Sequence, residues 1–229
     1  MPPKPEQTPV ILRNEGQYLK ILRRARLSPE TLEEILSDRG ARRYHAVRLA
    51  LAGHPRTPRR QALSLVLTLF WRDLARLSVD IRVHPEVRRA ADRELLRRLP
   101  EMALAERVDL ARSVGRGTLL ALRFDPDAEV IAAALDNRFL TEPDLVQAAA
   151  RRDVEVSALE VIAAHARWSL RPAIRSALLH NPKLPVTVAL TLLSRASARD
   201  LADLRDSPGV PRLVKACAER VLARRAGRV

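Results

Sequence analysis

The chain has 229 residues, 47% hydrophobic but only 3% aromatic, with a formal charge of +14. Such a core must be filled by Leu, Ala, Val and Ile, a mixture that packs helix against helix and disfavours β-sandwiches and barrels. The single cysteine, Cys217, excludes an internal disulfide and any multi-cysteine metal or iron–sulfur site, which fits a reducing compartment.

In chain order, residues 1–12 open with MPPKPEQTPV, proline-rich and polar with no apolar run behind a basic head. They read as a disordered leader and not as a signal peptide. From there to residue 226 the sequence predicts one helical domain. Prolines supply helix starts, because the first helical position needs no N–H and already has proline's φ. Pro29 after Ser28, Pro58 after Thr57, Pro85, Pro126 after Asp125, Pro185 and Pro211 all fit that role. Apolar residues recur between them at helical spacing, as in Leu213, Ala216, Cys217, Val221 and Leu222. With seven glycines and no hairpin dipeptide, ten to twelve short helices joined by tight turns are expected. The longest apolar stretch, Ala62 to Trp71, is about half of what a membrane-spanning helix requires, so a soluble cytoplasmic protein is expected.

Self-similarity organises the chain. His54-Pro55-Arg56-Thr57-Pro58 lies over Asn181-Pro182-Lys183-Leu184-Pro185 at an offset of 127, and Val47, Arg48, Ala50 and Leu51 fall on Ile174, Arg175, Ala177 and Leu178. Arg72-Asp73-Leu74-Ala75 likewise matches Arg199-Asp200-Leu201-Ala202. Downstream, one deleted residue pairs Pro85 with Pro211 and Ala91 with Cys217. Upstream, Leu27 to Leu36 resembles Leu140 to Ala149 at an offset of 113, which implies about 14 extra residues near Val156 to Ser169, the length of one further helix. A weaker copy at an offset of 44 includes Val130, Ala133, Leu135, Asn137 and Leu140. The expected divisions are a repeat half at 27–99, a divergent middle unit at 100–139 and a second half at 140–225.

The segment from Ala173 to Pro185, with Val188, Ala189 and Leu192 behind it, resembles the leucine-rich repeat variant family, a relative of HEAT and armadillo solenoids. Val47 to Pro58 shows the same pattern with His54 in place of Asn, and Leu135 to Pro143 a degraded form that keeps Asn137. The resemblance implies an all-α, right-handed α-solenoid of short HEAT-like helical repeats. It implies little about function, and the iron–sulfur cluster that members can carry is incompatible with one cysteine.

No residue combination asks for catalysis, a cofactor or a metal. The five histidines have no metal spacing and read as turn or surface residues, Gly115-Arg116-Gly117-Thr118 is too short for a phosphate loop, and Cys217 reads as a core residue. HEAT-like DNA glycosylases use tryptophans and an aspartate on a basic face, which directs attention to Trp71, Asp73 and Trp168. Against that comparison, Asp73 repeats as Asp200 while Trp71 faces only Ala198.

Charge is the informative feature. From Arg39 to Arg72 there are eight arginines and no acid, and from Val161 to Arg199 six basic residues and no acid, whereas residues 121–160 carry four basic and nine acidic groups. Only four of the 41 basic residues are lysines, a bias that suits bidentate phosphate recognition and equally a GC-rich genome. If successive units project alike, Arg42, Arg43, Arg48, Arg59, Arg60, Arg171, Arg175 and Lys183 would line a stripe for an acidic ligand. The expected function is a non-enzymatic binding module, with nucleic-acid backbone slightly ahead of an acidic protein. Scarce aromatic residues argue against base stacking and a single-strand-specific role. The alternative is a protein–protein scaffold with an apolar groove and a charged rim. The basic tail from Arg224 to Arg228 carries no prediction of order.

Overall fold

The structure, a computed structural model, describes residues 14–23 and 27–227. The leader at 1–12 and Arg228 lie outside the described residues. Every regular element among the described residues is helical, and none is long and apolar enough to cross a membrane. The chain divides into two compact units, residues 1–97 and 98–229.

The first unit carries α1 (Glu15–Leu22), α2 (Pro29–Ser37), α3 (His45–Gly53), α4 (Arg59–Val66), α5 (Trp71–Val79) and α6 (Pro85–Arg98), with a 3-10 turn at Ala41–Arg43. The second carries α7 (Leu104–Ser113), α8 (Arg116–Leu122), α9 (Ala128–Leu135), α10 (Glu142–Ala150), α11 (Val156–Ala164), α12 (Pro172–His180), α13 (Val186–Ser194), α14 (Ala198–Asp206) and α15 (Arg212–Ala226). Fifteen helices exceed the expected number because turns of only a few residues separate them. Prolines start helices in two ways. Pro29 and Pro85 take the first helical position, whereas Pro58, Pro185 and Pro211 are N-caps with φ between −54° and −58°. Proline's fixed φ is compatible with the extended backbone of an N-cap as well as with the first turn.

The two copies keep one register throughout. Helices begin at 29 and 156, 45 and 172, 59 and 186, 71 and 198, and 85 and 212, always 127 residues apart. The extra helix inferred near Val156 is therefore not an insertion, because α11 is the counterpart of α2. The apolar residues agree with this pairing: Leu32 and Leu159, Ile35 and Ile162, Leu74 and Leu201, and Val87 and Val214 are all buried. The deleted residue also disappears. Ala91 corresponds to Ala218, both fully buried, and Cys217 is only half-buried instead of a core residue.

Helices this short leave a large share of their terminal carbonyls without an intrahelical partner. Side chains from later turns fill that need. Asn137 is buried and donates from Nδ2 to Ala111 O at 2.8 Å and Val114 O at 3.0 Å, at the end of α7, while its Oδ1 accepts from Phe139 N at 2.9 Å. Asn181 repeats this at the end of α10, donating to Ala149 O at 2.6 Å and Arg151 O at 2.8 Å and accepting from Lys183 N at 2.9 Å. Trp168, 2% exposed, donates its indole N–H to Leu135 O at 2.8 Å, closing α9. Arg56 donates to Leu27 O, and its counterpart Lys183 donates to Val154 O at 3.2 Å, the same pair of positions moved by 127.

Three histidines fill the turn role the sequence suggested. The Nδ1 atoms of His54, His84 and His165 accept from the backbone N–H two residues ahead, at 3.2, 3.3 and 3.2 Å. Burial, and then the charge of Arg56, hold the His54 imidazole below its ordinary pKa of 6.5. The folded state thus favours neutral His54. Its contribution to stability is complete above pH 6.5 and is lost as pH falls from there through the depressed value.

Replacing Asn181 by Ala strands two carbonyls and is expected to lower unfolding free energy by about 2–4 kcal/mol, measured by urea denaturation. His54→Asn is expected to keep the turn and flatten the loss of stability as pH falls below 6.5, measured by the same titration at stepped pH.

Candidate nucleic-acid interface

The site is built from the start of α3. Arg48, one turn into that helix, folds back so that its Nη1 donates to Arg42 O at 2.8 Å and Arg43 O at 3.3 Å, and its Nη2 contacts His45 Nδ1 at 3.2 Å. With the carbonyls of the 3-10 turn held inward, the side chains of Arg42 and Arg43 are exposed and have no acidic partner among the described residues. Arg39 is exposed on the same loop.

His45 links this loop to the start of α5. Its Nε2 lies 2.6 Å from Asp73 Oδ2, and its ring stacks on Phe70 with centroids 4.2 Å apart. His45 is thus neither a turn nor a simple surface residue. Phe70 is 64% exposed, Trp71 is half-buried under the guanidinium of Arg72, and Tyr44, at 36%, packs against buried Tyr18 at 6.3 Å. Tyr18 in turn donates its hydroxyl to Asp38. The carboxylates that bracket the acid-free run, Asp38 and Asp73, are both engaged by neighbouring side chains. Of the chain's seven aromatic residues, four (Tyr18, Tyr44, Phe70 and Trp71) gather here. Scarcity in composition therefore does not mean scarcity at the site.

The other sequence candidates divide by role. Arg59 pairs with Glu86 and Arg60 is exposed at the start of α4. In the second unit Arg171 is exposed, but Arg175 repeats Arg48 as a scaffold residue, donating to Leu170 O at 2.9 Å and standing 3.9 Å from Asp200. Lys183 is occupied by Val154 O. Of the eight, Arg48, Arg175 and Lys183 thus spend their donors on backbone carbonyls, which a count of positive residues cannot distinguish from outward charge.

The repeat provides an internal comparison. Arg48 and Arg175 recur with their role, each donating to carbonyls just before its own helix, and Asp73 recurs as Asp200 with other partners, His45 for the first and the Ser197 N–H for the second. Tyr44, His45, Phe70 and Trp71 do not: their counterparts are Arg171, Pro172, Ser197 and Ala198. The scaffold needs the first set and not the second. The run Leu69-Phe70-Trp71, next to an otherwise aliphatic helix, was the available sequence signal for the missed residues.

A different surface lies in the second unit. A groove of 640 Å³ is lined by Leu190, Cys217, Arg220, Val221, Ala223 and Arg224, next to exposed Leu213. Cys217 is one wall of this groove. Among the described residues no group of three or more His, Cys, Asp and Glu side chains is placed to hold a metal ion. No family model, curated protein or solved structure matches the chain.

Replacing Arg48 by Met leaves the Arg42 and Arg43 carbonyls without their donor. It is expected to cost about 1.5–3 kcal/mol and to accelerate hydrogen exchange at the start of α3, read by denaturation and exchange mass spectrometry.

Proposed function

We propose that the protein is a cytoplasmic binding module, not a catalyst, and that its arginine-rich surface takes a polyanion, a nucleic-acid backbone before an acidic protein. The observation that carries this reading is the loop at 39–43. Arg48 ties its carbonyls down, three arginines face outward from it, and Asp38 and Asp73 are both occupied by other partners. Outward guanidinium groups with no ion-pair partner among the described residues favour phosphate contacts, and counterion release then makes the affinity steeply salt-dependent. The recurring short helices, and in the second unit the Asn137 and Asn181 turns, support α-solenoid stacking of the leucine-rich repeat variant kind, for which the sequence resemblance implies a right hand.

The glycosylase reading is weaker on two counts. Trp168 is a core residue, and the Asp73 carboxylate is held by His45.

A protein-scaffold reading is favoured by the groove between α13 and α15, where Leu190 and Leu213 are 47% and 55% exposed beside Arg220 and Arg224. An apolar floor with an arginine rim suits an amphipathic helix with acidic flanks.

Replacing Arg42 and Arg43 together by Ala is expected to weaken duplex and single-strand binding alike. The log–log salt slope should fall by about 0.7–0.9 for each phosphate that is no longer neutralised, measured by fluorescence anisotropy between about 50 and 200 mM salt. Affinity that does not change over that range overturns the polyanion reading. For the scaffold reading, Leu190→Asp with Leu213→Asp is expected to leave the thermal melt near wild type and to abolish binding of an acidic amphipathic peptide.

A further inference from the structure

We propose that the Tyr44–Phe70 edge of the first unit is a base-stacking platform, so that the favoured ligand is a single-stranded nucleic acid whose bases lie on these rings while Arg39, Arg42 and Arg43 hold its phosphates. The inference rests on the polyanion reading above and specifies the ligand class of the same site.

Support for the platform begins with how the two exposed rings are held. Phe70 is backed by the His45 ring at 4.2 Å and an interplanar angle of 29°, and His45 is fixed by Asp73 at 2.6 Å. Tyr44 is backed by the Tyr18 ring at 6.3 Å, and Tyr18 is fixed by its hydroxyl bond to Asp38. Each exposed ring therefore rests on a second ring whose polar atom is anchored by a carboxylate. Rings held this way have little rotamer freedom left to lose when a base stacks on them, which is the advantage of a preorganised site. Each base stacked on an aromatic ring contributes sequence-tolerant affinity. Bases in a duplex already stack on one another and cannot use the platform.

Fold maintenance does not account for these residues. At the matching positions of the second copy the scaffold closes equally well with Arg171, Pro172, Ser197 and Ala198, and the common core positions Val47 and Ile174, and Leu74 and Leu201, remain buried. An aromatic residue that is 64% exposed contributes little burial to offset its hydration cost. Its neighbours are also of the right charge: the run from Arg39 to Arg72 contains no acid.

The test uses the full chain and fluorescein-labelled oligo(dT) and oligo(U) strands of about twelve nucleotides, with a mixed-sequence duplex of equal length, titrated at low salt. Wild type is expected to bind a single strand about tenfold more tightly than the duplex, and tighter binding of either strand carries the inference and names the preferred sugar. Tyr44→Ala with Phe70→Ala is expected to lose about tenfold in single-strand affinity while duplex affinity and salt slope stay put. Phe70→Tyr should retain wild-type binding and Phe70→Leu should not, which separates stacking from simple occupancy of the position if the double variant folds poorly. Emission from Trp71 should be quenched by the strand, since Trp168, the other tryptophan, is enclosed in the core. Equal binding of strand and duplex, unaffected by the aromatic substitutions, overturns this inference and leaves the polyanion reading intact. Absence of binding to any nucleic acid at low salt overturns both.

Discussion

Everything in this fold depends on what is done with the carbonyls at the ends of short helices. Most of the α-helices here are seven to ten residues long, so about half of each helix's carbonyls lack an intrahelical donor. The molecule supplies donors from roughly a helical pair further along the chain: Asn137 and Asn181 for α7 and α10, Trp168 for α9, Arg56 and Lys183 for the residues just before α2 and α11. These bonds are buried or half-buried, where an unmade bond is costly, so they fix the register of one helix pair against the next.

That requirement changes the meaning of the arginine content. A guanidinium carries five donors and a long apolar stem, so it can reach a carbonyl two helices away and cover apolar surface along the way. Arg56 and Arg225 are used in this manner, the latter donating to Ala196 O and Ser194 O, while Arg48 and Arg175 donate to carbonyls of the turn just before their own helices. Part of the excess positive charge is thus structural, and the residues available to a ligand are those that the turns leave outside. Arg42 and Arg43 belong to that second group because Arg48 belongs to the first.

The all-helical character, the repeat and its offset were legible in the sequence, since buried Leu, Val and Ala at helical spacing and the matched Arg-Asp-Leu are local signals. The gap structure was not. Residues 27–36 resemble 140–149 in composition, but the common helix starts and the carbonyl cap from Lys183 to Val154 make their counterpart 154–163. The arginine-rich loop was legible as charge, whereas its division into scaffold and surface residues depends on side-chain direction, which spacing does not encode. The aromatic platform was missed for a related reason. Tyr18, Tyr44 and Phe70 are far apart in sequence, and a percentage averages away the clustering that matters.

The cap from position 56 to position 27, reproduced from 183 to 154, spans 29 residues in both copies. Gaining or losing a single residue inside that span would rotate the donor off its acceptor by about 100° of helix and orphan the carbonyl. Length change is therefore penalised far more heavily than substitution. A chain built this way diverges by exchanging side chains on a frozen frame, which is why one half can carry aromatic residues where the other carries arginine, proline, serine and alanine without either losing step with its twin.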